Sequence, residues 1–141
     1  MELAGSVRGD FYAVKGYDPA FMLCMEDANG VVSVYICNTG ITLKYGSELY
    51  EERLHLSENL EAVQYESHDS WDLSRGERYQ MNNVNDIVLD FIKEINSATF
   101  LLSDSIPLEE GQTSIADTEL YHLYFQMENG MLIHLRLHEN G

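Results

Sequence analysis

Residues 84–95 read VNDIVLDFIKEI, and they decide the fold because their apolar spacing is typical of one structure only. The apolar side chains recur at steps of three and four residues, which places them on one face of a helix. They are Val84, Ile87, Val88, Phe91, Ile92 and Ile95. Asn83 is placed to cap the first turn, and Asn96 and Ser97 end the pattern. The stretch predicts one long amphipathic helix packed on one face of a sheet.

The first half of the chain predicts an antiparallel meander. Apolar residues alternate with other residues on both sides of a loop at 27–30, and a four-residue loop pairs Met25 with Val32. That register puts six apolar side chains on one face: Phe21, Leu23, Met25, Val32, Val34 and Ile36. A strand at 11–14 precedes this hairpin, and alternating residues at 41–45 predict a strand after it.

The last part of the chain predicts a second hairpin, whose turn can be deduced. A two-residue Asn129-Gly130 loop would pair apolar with polar residues along the whole hairpin. A three-residue loop, with Gly130 in the left-handed conformation, instead pairs Met127 with Met131 and places all the apolar residues on one face. His122 and His134 then lie on the opposite face.

Together these segments predict an α+β fold, with an antiparallel sheet of about six to eight strands and the long helix across one face. Residues 1–141 are expected to form a single domain. Residues 62–67 and 99–102 are further strand candidates, and 47–60 fits a short helix, a strand or loops. Residues 68–76 predict a loop, in which Trp71 either covers a core or anchors a partner.

The charge of the chain bounds its partners. Eight basic residues against 24 acidic ones give a net charge of −16, which repels nucleic acid and anionic membranes and attracts basic proteins. No stretch has the length of a membrane span, and the first ten residues lack the apolar core of a signal peptide. Cys24 and Cys37 are placed beyond disulfide reach in the predicted register, on the same face. We therefore expect a cytoplasmic protein with free thiols.

Motifs for catalysis are not found. The sequence has no nucleophile elbow, phosphate loop, zinc-protease helix or dinucleotide fingerprint, so we expect no enzyme activity and no cofactor. His122, His134 and His138 share one face of the last hairpin, and two of them are near enough to share a metal. His134 and His138 are too far apart to join the same ion, so we expect a polar face without a metal.

Acidic residues are concentrated between positions 48 and 72, where only Arg53 opposes them, and aromatic residues are interspersed among them. The candidate partner-binding residues are Glu51, Glu52, Glu58, Glu61, Glu66, Asp69, Trp71 and Asp72. Alternatively, these residues form an ordinary solvated surface that binds no partner. If they bind a partner, carboxylates would take the place of nucleic-acid phosphates on a basic protein.

In size, acidity and lack of catalytic motifs, the chain resembles in general type the small immunity proteins of bacterial contact-dependent and polymorphic toxin systems. The resemblance implies an inhibitor that docks on a basic toxin, typically a nuclease, and occludes its active site. Two alternatives stay open. One is a phage-type decoy that mimics nucleic acid and binds a defence enzyme, and the other is a small-ligand-binding or enzymatic domain that uses the His122 and His134 face.

Overall fold

The computed structural model describes four ranges of the chain, which are residues 9–37, 39–81, 86–100 and 118–139. The chain divides into two compact units, Met1–Leu43 and Lys44–Gly141. The expectation of a single domain stays a prediction. No helix among the described residues is long and apolar enough to cross a lipid bilayer.

The first unit contains a three-stranded antiparallel sheet with the strand order β1-β2-β3. The strands are β1 (Asp10–Ala13), β2 (Met22–Glu26) and β3 (Val32–Ile36). A three-residue loop joins β2 to β3, since the Asp27 N–H donates to the Val31 carbonyl at 3.0 Å and the Gly30 N–H donates to the Asp27 carbonyl at 3.0 Å. Gly30 has φ +78°, a left-handed conformation that glycine adopts without strain.

The register of this hairpin differs by one residue from the predicted one, which is therefore wrong. Cys24 lies opposite Val34, whereas the sequence had paired Leu23 with Val34. The reason is the Asp27 carboxylate, which accepts hydrogen bonds from the Asn29 and Val31 N–H groups at 2.8 and 2.9 Å and closes a tighter loop. A one-residue shift moves side chains to the other face, so the six apolar residues are divided between both faces.

Two further predictions near this hairpin are also wrong: the shared face of the two cysteines and the strand at 41–45. Cys24 and Cys37 are free thiols, as expected, but Cys37 donates its N–H to the Phe21 carbonyl and thus lies opposite Phe21. The two cysteines therefore point to opposite faces, not to the same one. The strand predicted at 41–45 is also not formed, and Tyr45 makes only an isolated bridge with Thr99.

The second unit contains a four-stranded antiparallel sheet with the order β5-β4-β6-β7. Its strands are β4 (Leu60–Ser67), β5 (Tyr79–Met81), β6 (Glu119–Met127) and β7 (Leu132–His138). Its helices are α1 (Gly46–Tyr50), α2 (Leu56–Asn59), α3 (His68–Asp72) and α4 (Asp86–Ser97). The α+β class with antiparallel sheets is confirmed. The described strands number seven, within the predicted range, but they form two sheets and not one.

The second hairpin has the deduced register. Phe125 lies opposite Ile133 and His122 lies opposite Arg136. The Met127 N–H donates to the Met131 carbonyl at 2.9 Å, and Gly130 has φ +84°. The three-residue loop is confirmed.

Helix α4 packs on the sheet through part of the predicted stripe. Val88 and Ile92 are buried in one core with Val63 and Phe125, and the Phe91 ring lies 6.3 Å from the Phe125 ring. Ile87, which the stripe also included, is exposed. The predicted Asn83 cap and Val84 lie outside the described residues, and the helix continues through Asn96 to Ser97, beyond its predicted end.

Residues 47–60, for which several structures were open, contain most of α1 and all of α2, which are joined by turns at 51–54. The Gly46 N–H donates to the Ala98 carbonyl at 2.9 Å, so the start of α1 lies directly against the end of α4. A Cβ atom at position 46 would lie 1.9 Å from the Ile95 carbonyl oxygen. Only glycine permits this approach of the two backbones.

We therefore predict that Gly46→Ala lowers the free energy of unfolding by about 1–3 kcal/mol, because the new methyl group forces α1 and α4 apart. Intrinsic helix propensity alone would give the opposite sign, since alanine favours a helix over glycine. Urea unfolding measures the change, and Ser47→Ala on the same helix is the control, expected within about 0.5 kcal/mol of the wild type. A stabilised Gly46→Ala protein would contradict the close approach.

The N-terminus of α1 leads to a prediction about how the stability of the protein depends on pH. The Glu48 carboxylate accepts hydrogen bonds from the Tyr45 and Lys44 N–H groups at 2.7 and 2.6 Å, and these bonds lower the pKa of Glu48 below its usual value. The stabilisation should be fully present above pH about 4.3, the usual glutamate pKa, and lost as the pH falls through the lower folded-state pKa. Glu48→Gln should therefore be less stable than the wild type near pH 7, and the difference should vanish in acid. Urea unfolding across pH 2.5–7 tests this, and a difference independent of pH would contradict it.

Candidate functional site

The two faces of the second sheet are covered by different elements. Phe125 faces α4, so His122 and Tyr124, at even positions of β6, face the opposite side. Helix α3 lies on that side and follows β4 directly, because Ser67 accepts a hydrogen bond from the Ser70 N–H and caps the helix. The prediction of a loop throughout 68–76 is thus wrong for residues 68–72.

Four residues meet beneath α3, and we call them the histidine cluster: His68, Glu119, His122 and His134. His68 Nδ1 lies 3.1 Å from His122 Nε2, and His122 Nδ1 lies 2.8 Å from His134 Nε2. The Glu119 Oε2 atom lies 3.1 Å from His68 Nδ1 and 3.5 Å from His122 Nε2. Three polar atoms from α3 and β6 therefore converge on one point.

A bulge in β6 allows Glu119 to join this cluster. The register with β7 shifts between Glu119 and Tyr121, which turns Glu119 to the face of His122 and leaves Leu120 exposed. Arg136 donates a hydrogen bond to Glu119 Oε1 at 2.9 Å. The other oxygen, Oε2, is buried and accepts no well-aligned hydrogen bond from any described residue, although His68 is near.

Trp71 covers the cluster. Its ring stacks on His122 with the centroids 4.5 Å apart and the planes at 16°, and His122 is fully buried beneath it. The Arg136 guanidinium lies 5.1 Å from the centre of the Trp71 ring, in the geometry of a cation–π contact. The sequence left two roles open for Trp71, covering a core or anchoring a partner. The structure shows it as a cover, and 36% of the residue remains exposed.

Electrostatics favour neutral imidazoles beside an ionised carboxylate. Burial, followed by the neighbouring His134, lowers the pKa of His122. Burial and the positive charges of Arg136 and Arg78 lower the pKa of His134. Burial acts to raise the pKa of Glu119, but the hydrogen bond and charge of Arg136 outweigh it and the net shift is downward. Each neutral imidazole then has one ring nitrogen that can donate a hydrogen bond and one that can accept.

A second buried carboxylate, Glu66, lies on the same face and joins α3 to the sheet. Its Oε1 atom accepts a hydrogen bond from Ser70 Oγ at 2.7 Å, and its Oε2 atom accepts one from the Tyr124 hydroxyl at 3.1 Å and one from Arg78 Nε at 3.4 Å. The Ser70 hydrogen bond is the main cause of a lowered pKa at Glu66, which burial opposes. Glu66 is only 2% exposed, so this network is internal to the fold.

The eight predicted partner-binding residues are not brought together. Glu66 is buried, and Glu51 is half-buried and binds Ser57 and Asn96. The other six are exposed, in two groups: Glu52, Glu58 and Glu61 before or at the start of β4, and Asp69, Trp71 and Asp72 on α3. The length of β4 separates these groups by roughly 20 Å.

Sequence reasoning missed two members of the histidine cluster. His68 fell in a predicted loop, although Ser67 is a good helix cap and could have indicated α3. Glu119 comes into position through a bulge, which no residue type in the sequence indicated. His138, which the sequence grouped with His122, instead bonds Thr118 at 2.6 Å.

No family model matches the chain, and it matches neither a curated protein nor a solved structure.

The Glu66 network yields a stability prediction. We expect Glu66→Ala to lower the free energy of unfolding by about 2–3 kcal/mol, because it leaves the Ser70 and Tyr124 hydroxyls without their buried acceptor. Urea unfolding measures the effect. Glu58→Ala, at an exposed acidic position, is the control and should change stability by less than about 0.5 kcal/mol. A Glu66→Ala protein of unchanged stability that loses only a partner would show that Glu66 belongs to a binding surface.

Proposed function

We propose that this protein is an inhibitor of the immunity type, which docks its exposed carboxylates on a basic toxin, covers the toxin's active site and thereby neutralises it in the cytoplasm. The observation that supports this most is how the charges are arranged: several cations contact groups of the chain itself, while most acids among the described residues face solvent.

The chain has only eight basic residues, and several contact groups of their own fold. Arg78 and Arg136 contact the buried carboxylates of Glu66 and Glu119, and Lys93 pairs with Asp90 on α4. Each of these pairs is neutral, so the pairs leave the net charge of the chain unchanged. The net charge of −16 is carried by the other groups, and it favours fast association with a basic protein.

Exposed acids are brought together at one end of the second sheet, which we call the acidic end: Glu58, Glu61 and Glu128. Glu58 lies on α2, Glu61 is the second residue of β4, and Glu128 lies in the β6–β7 loop. The Glu128 N–H donates to the Asn59 carbonyl at 2.8 Å, and Leu60 lies opposite Met127, so the three segments are in contact. The sequence included Glu58 and Glu61 among its partner residues and missed Glu128.

The acidic end has the chemistry that a nuclease cleft recognises. Carboxylates on a rigid sheet end can occupy the positions of phosphate groups on basic side chains, and the helix and loop around them would exclude the substrate. Charges at the rim of such a contact mainly set the association rate. Aromatic side chains that a partner buries mainly slow dissociation. The exposed Trp71 and Tyr121 are of that type, but they lie at the opposite end of the sheet from the acidic end.

The test combines binding and charge reversal. The protein encoded by the adjacent upstream gene is the probe, and its association with this protein is measured by surface plasmon resonance at low and moderate salt. We expect Glu58→Lys, Glu61→Lys and Glu128→Lys together to reduce the association rate by about 10–100-fold, most strongly at low salt.

A matched control separates a site from a general charge effect. Glu77, Asp86 and Glu94 are exposed acids outside the acidic end, and replacing all three with Lys changes the net charge by the same amount. We expect the association rate of this control variant to fall much less. Equal losses in both triple variants would contradict a role for the acidic end, and no binding at either salt concentration would contradict the proposed function itself.

A further inference from the structure

We propose that His68, Glu119 and His122 bind one divalent transition-metal ion of the Zn²⁺ class, through His68 Nδ1, Glu119 Oε2 and His122 Nε2. Two imidazoles and one carboxylate form a recurrent ligand set for zinc and for non-haem iron. This site would lie beneath Trp71, on the face of the sheet opposite α4. It is independent of the acidic end and of the proposed inhibitor function.

The spacing of the three atoms fits a common ion. Ligand atoms about 2.0–2.1 Å from one ion lie roughly 2.9–3.4 Å from each other at octahedral or tetrahedral angles. Here the three separations are 3.1 Å between His68 and His122, 3.1 Å between His68 and Glu119, and 3.5 Å between His122 and Glu119. The His68 and His122 ring centroids lie 5.4 Å apart, so the two nitrogens face each other, and both rings would have to rotate for their lone pairs to converge on an ion.

Burial supplies an independent reason for a ligand. The Glu119 side chain is 3% exposed, and its Oε2 atom has no aligned hydrogen bond within the described part of the chain. A buried carboxylate oxygen without a partner is costly, and most such atoms in folded proteins are satisfied. A cation at the centre of the three atoms would satisfy Oε2 directly.

Hydrogen bonds alone do not satisfy all three ligand atoms at once. His68 Nδ1 can carry one hydrogen, and that hydrogen can be directed at His122 Nε2 or at Glu119 Oε2, but not at both with good alignment. A single ion contacts all three atoms at once. The metal-free network, in which His68 and His122 share a proton and Oε2 stays unpaired, is the outcome that the test must exclude.

The surroundings resemble the outer shell of a metal site. Arg136 donates to Glu119 Oε1, which fixes the carboxylate and leaves Oε2 directed at the two imidazoles. His122 Nδ1 lies 2.8 Å from His134 Nε2, so His122 can donate its remaining N–H there while Nε2 binds the ion. Ligating histidines and carboxylates normally have such outer partners, which orient them and set the tautomer. Three protein ligands also leave at least one position for water or for an atom of a partner.

The test uses the full chain, freed of metal by a chelator, with Zn²⁺ alone as the probe. Isothermal titration should show one saturable site per chain, and a raised thermal unfolding midpoint should accompany binding. His68→Ala removes the ligand that is most exposed, with 27% of its side chain accessible, and is the least disruptive of the three changes. We expect it to weaken Zn²⁺ binding by more than about tenfold, the lower bound for loss of even an outer-shell partner.

His55→Asn is the control for a histidine outside the cluster. His55 precedes α2 with φ +56°, a conformation that asparagine tolerates, so the variant should fold and bind Zn²⁺ as the wild type does. X-ray absorption at the zinc edge of the wild-type protein should show two imidazole ligands and no sulfur ligand. This measurement requires no variant. No one-to-one binding by the wild type, equal affinity in His68→Ala, or a sulfur ligand from Cys24 or Cys37 would each overturn the proposal.

Discussion

The antiparallel pairing of β4 with β6 is the constraint on which the second unit depends. These are the two central strands of the sheet, and both of their faces are covered. On one face Val63 and Phe125 pack against α4, and on the other Glu66, His122 and Tyr124 form polar and aromatic contacts beneath α3. Because side chains alternate along a strand, a single pairing register fixes an apolar core and a buried polar layer together.

The polar layer has consequences for the surface. Arg78 and Arg136 pair with the buried carboxylates of Glu66 and Glu119, although 43% and 49% of the two arginine side chains are exposed. Each pair is neutral, so the net charge of −16 is carried by the groups outside these pairs. The fold thus buries two carboxylates, one of which binds α3 to the sheet through Ser70, without weakening the negative field available to a partner.

Some of the structure could be predicted from sequence because local patterns had one physical solution. The apolar stripe from Val84 to Ile95, with its steps of three and four residues, fits only a helix, and the second hairpin has only one loop that keeps its apolar residues on one face. In the first hairpin both the predicted and the observed register place apolar residues opposite each other. The hydrogen bonds of the Asp27 side chain within the loop decide between the two registers, and the alternation of apolar residues does not reveal them. The sequence pattern was therefore informative only where one face had to be buried.

The candidate sites were harder to predict because they depend on contacts between distant segments. His68 and Glu119 meet only after α3 folds onto the sheet and β6 bulges next to Leu120. Glu66 looked like a surface acid from its neighbours in the sequence, but it lies at the inner side of β4. Glu128 joins Glu58 and Glu61 through strand pairing, which composition does not reveal.

The central claim is that this protein neutralises a basic partner by covering its active site. Its most direct test is the activity of the protein encoded by the adjacent upstream gene, assayed on nucleic acid while this protein is added in increasing amounts. We expect the activity to fall to zero at a ratio of one chain per partner. Full activity in the presence of a large excess of this protein would contradict it.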